Sequence, residues 1–134
     1  MFEIKKIFLI LICLLPMVSW GQEQQQTKPY QFDLDKADLA YRSKKYNTAA
    51  LLFQKVYPKI KEEEEKQQVL FKIADSYRYS NNFKQALKWY EEVLNSKYPD
   101  PAVLYSYGQL LKNFERYDEA SRAFYDYSFE VPED

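Results

Sequence analysis

Apolar and polar positions alternate with a helical period along nearly the whole chain from residue 31 onward. Apolar residues recur three and four positions apart, which places them on one face of a helix. Helix breakers occur only at intervals, at Pro58, at residues 80–82, at Pro99 and Pro101, and at Pro132. The pattern therefore predicts a series of amphipathic helices joined by short turns.

The helical pattern is itself repeated three times. Each copy has an aromatic residue, a small residue three positions later, an aromatic residue four positions further and an apolar residue after three more. A small residue also stands nine positions before the first aromatic. The copies are Ala37, Tyr46, Ala49, Phe53 and Val56; Ala74, Phe83, Ala86, Tyr90 and Val93; and Gly108, Tyr117, Ala120, Phe124 and Tyr127. The periods of 37 and 34 residues predict three helix pairs, in which the small residues allow close helix contact.

These positions resemble the tetratricopeptide repeat family, whose 34-residue unit has large apolar, small and aromatic residues at the same places. The resemblance covers about residues 31–132, as repeats at about 31–61, 67–100 and 101–132. The first repeat departs from the family pattern, with Asp33 and Lys36 where apolar residues are expected. The resemblance implies an all-α fold, an α-solenoid of three antiparallel helix hairpins, that serves as a scaffold for protein–protein interaction.

The first 21 residues have the pattern of a secretory signal peptide. Lys5 and Lys6 precede an apolar run from Ile7 to Leu15, and Ser19 and Gly21 provide small residues before a cut at Gln22. A membrane anchor is the alternative, but spanning a bilayer takes about 20 apolar residues. Residues 22–30 are polar and are predicted to be a flexible linker.

A looser resemblance concerns the cellular context. A signal peptide ending in Gly-Gln, followed by tyrosine-rich repeats, resembles the N-terminal segment of Bacteroidota OmpA-family envelope proteins, some of which belong to type IX secretion and gliding machinery. It implies an exported protein in the periplasm or cell envelope of a Gram-negative bacterium. The alternative function that it implies is a structural N-terminal segment of a larger envelope protein.

Composition excludes most catalytic chemistry. The chain has no His, and its only Cys, Cys13, lies in the apolar N-terminal run. After residue 21 there is one glycine, Gly108, so a glycine-rich phosphate loop is absent from the sequence. Thiolate or imidazole metal sites and Ser-His or Cys-His pairs are excluded as well. We therefore predict no enzyme activity, no cofactor, no metal and no small-molecule substrate.

Charge limits the choice of partner. Residues 22–134 carry 17 basic and 19 acidic side chains, a net charge of −2, and this balance gives no field that attracts nucleic acid. The four consecutive glutamates, Glu62 to Glu65, point around the whole helix and cannot converge on one cation. We interpret them as the solvated start of a helix. The predicted partner is a protein or peptide, within a possible envelope complex.

The resemblance also predicts a partner-binding groove lined by the first helix of each repeat. The competing hypothesis is that the aromatic residues there only pack repeats together and the charged residues only solvate the surface. Some members of the family clamp a chaperone's C-terminal carboxylate with Lys and Asn at inner positions of the groove. Here the first of those positions in each repeat holds Leu34, Phe71 or Tyr105 and the second holds Asp38, Asp75 or Gln109, which argues against a carboxylate clamp. The groove residues are Leu34, Asp38, Tyr41, Phe71, Asp75, Arg78, Tyr105, Gln109 and Lys112.

The last helix is predicted to expose apolar surface, because repeat arrays need a polar cap at each end. We expect Tyr125 or Tyr127, together with Leu111, to be partly exposed there.

Overall fold

Six α-helices make up the computed structural model, which describes residues 27–131. They are α1 (Gln31–Arg42), α2 (Tyr46–Val56), α3 (Glu63–Tyr79), α4 (Phe83–Asn95), α5 (Ala102–Asn113) and α6 (Tyr117–Glu130), with a 3₁₀ turn at Tyr57–Lys59 after α2. Each helix packs against the next one in the chain, so that α1–α2, α3–α4 and α5–α6 form three stacked hairpins. The predicted all-α solenoid of three helix pairs is confirmed.

Small residues lie where the helices cross, as the repeat pattern predicted. Ala49, Ala86 and Ala120 are buried between helices, and so are Ala37 and Ala74. A methyl group in place of the Gly108 hydrogen would lie only 2.7 Å from Cε1 of Phe124 on α6. Close packing of α5 on α6 therefore explains why glycine stands in the middle of a helix.

The turn inside each hairpin has the same geometry without glycine. Lys44, Asn81 and Glu115 have positive φ values of 58°, 60° and 57°. In the first turn the Lys45 N–H donates to the Ala40 carbonyl and the Lys44 N–H to the Tyr41 carbonyl, a Schellman motif that recurs in the other two hairpins. The three residues are 37 and 34 positions apart, so the turns keep the period of the repeats.

The start of the described chain is attached to the second repeat. Tyr30 is buried and donates from its hydroxyl to Glu65 of α3, and the Lys28 ammonium lies 2.9 Å from the same carboxylate. Residues 28–30, which the sequence placed in a flexible linker, thus make specific contacts. Glu65 is half-buried, whereas Glu62, Glu63 and Glu64 are exposed, so the interpretation of a solvated helix start holds only for these three. The predicted signal peptide, residues 22–26 of the linker and Pro132 lie outside the described residues.

The last repeat exposes part of the predicted apolar surface. Tyr125 is 63% exposed, as expected, and Tyr127 is half-buried. The prediction for Leu111 is wrong, because this side chain is fully buried against Ala120 and Ala123. It points into its own hairpin and not toward the free side of α6. At the start of α5, the Asp100 carboxylate accepts a hydrogen bond from the Ala102 N–H at 2.9 Å.

Candidate functional site

The predicted groove residues lie on α1, α3 and α5, but repeat 1 contributes little free surface. Leu34 is only 6% exposed and belongs to the core, so its prediction as a groove residue is wrong. Leu34 faces the inside of the first hairpin, where it packs with other buried apolar side chains, and so it does not reach the groove. Asp38 pairs with Lys72 of α3, each about one-third exposed, and the pair bridges repeats 1 and 2.

Asp75 is the centre of a buried polar cluster. Its side chain is 5% exposed and accepts hydrogen bonds from Arg78 Nε at 3.0 Å, from Arg78 Nη2 at 2.8 Å and from the Tyr90 hydroxyl. The Tyr41 hydroxyl of α1 donates to it at 3.3 Å. Asp75 is therefore a positioning residue that fixes Arg78, and it cannot itself contact a partner in the groove.

The two tyrosines of this cluster stay protonated. Burial, followed by the nearby Asp75 charge, raises the pKa of Tyr90 above its usual range, and the same causes raise the pKa of Tyr41. Both hydroxyls consequently remain hydrogen-bond donors to the Asp75 carboxylate. The cluster has the properties of a structural network in which each polar group is satisfied.

Phe71 packs mainly against aromatic residues of its own repeat. Its ring stacks on Tyr98 at a centroid distance of 5.2 Å and meets Tyr90 edge-on at 6.2 Å. It is half-buried, so part of the side chain remains exposed. The packing hypothesis therefore accounts for most of its surface.

Repeat 3 presents its three predicted residues openly. Tyr105 is 47% exposed, and Gln109 and Lys112 are exposed on the same side of α5. The Gln109 side-chain amide donates to the Tyr105 hydroxyl at 3.0 Å, which aligns the two side chains along the helix.

A concavity of about 330 Å³ lies between the C-terminal ends of α3 and α5. Two of the predicted residues, Arg78 and Gln109, line it. The Arg78 side chain is 29% exposed, and its Cζ lies over the Tyr79 ring, 4.2 Å from the centroid. The remaining wall is formed by Tyr79, Asn81, Phe83, Leu110 and Asn113.

Sequence reasoning missed Tyr79 and Asn113, although each directly follows a predicted residue on α3 or α5. A second concavity, of about 350 Å³, lies on the other side of Tyr79, where the turn after α1 meets the end of α3. Lys44, Lys45 and Tyr46 line it, and Tyr46 stacks on Tyr79 at 4.8 Å. The two concavities form one strip along the hairpin turns, with cations at Lys44, Lys45 and Arg78 and an aromatic centre at Tyr79.

Within residues 27–131, no group of three His, Cys, Asp or Glu side chains is placed to hold a metal ion. Among the helices of this described segment, none combines the length and apolarity that a bilayer crossing requires.

Stacked helix hairpins with small residues at every crossing and an inner surface of polar and aromatic side chains define a tetratricopeptide-type repeat protein, a class that in general serves as a non-catalytic scaffold for protein–protein interaction. Residues 42–126 match the family model described as anaphase-promoting complex, cyclosome, subunit 3. The chain belongs to this family of tetratricopeptide-like repeats. No curated protein matches the sequence.

Proposed function

We propose that the chain is an exported, non-catalytic scaffold that binds an extended acidic peptide segment of a partner protein across the inner ends of α3 and α5. The observation that carries this proposal is the concavity of about 330 Å³ that holds Arg78 and Gln109. A guanidinium fixed by a buried carboxylate keeps its geometry without a partner, so little side-chain freedom is lost on binding.

The chemistry of the strip favours a peptide over a folded surface. Amide side chains at Asn81, Gln109 and Asn113 supply both donors and acceptors, which suits the alternating N–H and C=O groups of an extended backbone. The ring of Tyr79 offers apolar contact between the two concavities. Lys44 and Lys45 place positive charge at the far end, which favours an acidic side chain there.

Peptide selection tests the binding surface. A random peptide library is panned against the purified chain, and the affinity of the selected peptides is measured by fluorescence anisotropy. We expect acidic sequences, and we expect Gln109→Ala and Lys45→Gln to weaken binding by roughly tenfold each, as for interface hot spots. Both side chains are exposed, so the fold is kept. Lys88→Gln, at an exposed position on α4, is the matched control and leaves the affinity unchanged. Equal binding by all four proteins would contradict the proposed groove.

Export is tested separately. The chain is expressed from Met1 in a Gram-negative host, and the N-terminus of the product is determined by mass spectrometry after cell fractionation. A periplasmic product that begins at Gln22 is the expected result, and Ile10→Arg in the apolar run is expected to abolish export. A full-length cytoplasmic product would refute export, whereas a full-length membrane product would favour the anchor.

The alternative, a structural segment of a larger envelope protein, is supported by the exposed apolar side chains of α6, such as Tyr125 and Phe129. Such a segment acts as a spacer and needs no peptide. Failure of the peptide selection together with successful export would favour it.

A further inference from the structure

The two inter-repeat interfaces within the chain are built from the same positions. In the first, Val69 and Ile73 of α3 share a core cluster with Phe53 and Val56 of α2. In addition, the Gln54 amide donates to the Tyr77 hydroxyl. The first helix of a repeat thus buries one stripe against the second helix of the repeat before it.

The second interface reproduces this arrangement 34 to 37 residues later. Its apolar members form one cluster, and the Tyr107 hydroxyl donates to Glu91 at 3.3 Å; Glu91 corresponds to Gln54, whereas Tyr107 corresponds to Ile73 and not to Tyr77. The clustered residues are Val103 and Leu110 of α5 with Tyr90 and Val93 of α4.

One half of such an interface is open on α1. Phe32, Lys36 and Leu39 hold the positions that Val69, Ile73 and Ser76 hold in α3, one period of 37 residues earlier. Phe32 is 74% exposed and Leu39 is 60% exposed, whereas the corresponding residues of α3 are buried. The Lys36 ammonium lies 5.6 Å from the Phe32 ring centroid, so a positive charge is part of this stripe. We call Phe32, Lys36 and Leu39 the head face.

The complementary half is open on α6. Phe124 and Tyr127 correspond to Phe53 and Val56, and Tyr125 corresponds to Gln54. Phe124 and Tyr127 are half-buried, covered on one side by Tyr105 of their own hairpin, while Tyr125 is largely exposed. We call Phe124, Tyr125 and Tyr127 the tail face.

The charges of the two ends are complementary. Residues 31–61, the first repeat, carry seven basic and three acidic side chains, a net charge of +4; Lys28 is not counted because it pairs with Glu62 and Glu65. Residues 101–131 carry three basic and five acidic side chains, a net charge of −2. Opposite net charges speed the encounter of head with tail and disfavour head with head.

We propose that a second copy of this chain is the occupant of each face, with the head face of one copy stacked on the tail face of another. The contact repeats the inter-repeat interface of the fold between molecules, so each copy extends the solenoid by three repeats. It is a heterologous contact, which continues into a filament unless the superhelix closes. The faces lie apart from the peptide strip, so this proposal stands independently of the proposed function.

Two blocked variants test the contact. Leu39→Glu blocks the head face and Tyr125→Glu blocks the tail face, and the exposure of both side chains keeps the fold intact. Mass is measured by light scattering after size exclusion over a range of concentrations. We expect wild type to form oligomers whose mass rises with concentration and which persist at about 1 M salt, because the contact itself is apolar and only the long-range attraction is screened. Each variant alone should associate roughly tenfold or more weakly.

A mixture of the two variants distinguishes the geometry. The head-blocked protein has an intact tail and the tail-blocked protein an intact head, so the mixture should form a dimer at concentrations at which each variant alone is monomeric. Leu51→Glu adds the same charge at an exposed position on α2 outside both faces and should assemble like wild type. A wild type that stays monomeric at the highest concentration would overturn the proposal. So would a mixture without a dimer, or assembly that survives both substitutions, since these indicate another surface or another partner.

Discussion

Gly108→Ala tests how closely α5 and α6 pack. In a free helix this substitution gains about 1 kcal/mol of stability. Here the added methyl group would lie 2.7, 2.9 and 3.0 Å from Cε1, Cζ and Cδ1 of Phe124. These distances are shorter than van der Waals contact. The Phe124 ring is restrained by the ring of Tyr105, whose centroid lies 5.7 Å from its own.

The expected result follows from comparing the two effects. Overpacking of this kind costs about 1 to 3 kcal/mol, so the steric cost exceeds the propensity gain. We expect a net loss of about 1 kcal/mol in the free energy of unfolding, measured by urea denaturation with far-UV circular dichroism. Thermal unfolding should shift down by about 4 °C or more.

A second substitution, at Phe124, is expected to reverse the sign of the stability change caused by Gly108→Ala. Phe124→Leu removes Cε1 and Cζ, the two atoms nearest to the added methyl group. In that background Gly108→Ala should stabilise, because the propensity term remains and the clash is relieved. The coupling energy of the double-mutant cycle is then about 1 kcal/mol or more. Gln109→Ala and Gln109→Gly, at the exposed neighbouring position, calibrate the propensity term alone. Stabilisation by Gly108→Ala in the wild-type background, or the same effect in both backgrounds, would refute the close packing.

Three further predictions concern other contacts of the fold. Asp75→Ala leaves the buried partners of this carboxylate unpaired and should cost about 3 kcal/mol in urea denaturation; a loss under about 1 kcal/mol would contradict the buried cluster. Lys44→Gly relieves the positive φ of 58° and should gain about 1 kcal/mol, while Lys45→Gly, at a φ of −84°, should gain nothing. Glu65 is partly desolvated, which opposes ionisation, but hydrogen bonds from Tyr30 and Lys28 dominate and lower its pKa below 4.5. Because the folded-state pKa is depressed, its contribution is present at neutral pH and lost as the pH falls through that lowered value. Wild type and Glu65→Gln should therefore converge in stability in acid, and a constant difference across pH would count against the contact.

The repeat architecture could be predicted because it depends on the spacing of small and aromatic residues that are close together in the sequence. Ala49, Ala86 and Ala120 share their offsets from flanking aromatic residues, and those offsets alone identify a helix pair with a close crossing. The periods of 37 and 34 residues then fix the number of units. The helix pairs can be recognised from the sequence because the two helices of a hairpin follow one another along the chain.

The groove was harder to predict, because side-chain exposure depends on a neighbour from another helix or another repeat. Leu34 and Asp75 both lie on inner helices, yet both are buried and neither is open to a partner. The Tyr41 hydroxyl donates to Asp75, which lies 34 residues later in the sequence, and no local sequence pattern predicts that contact.

The sequence by itself determined the helical class, the three copies and their small contact residues, since each follows from periodicity within about 37 positions. Only the tertiary structure decided which inner residues stay open to a partner, that Glu65 anchors Tyr30, and that α1 and α6 expose apolar side chains. The physical reason is that a helical period defines which face of a helix is apolar, whereas the neighbour that covers that face is set by stacking between repeats.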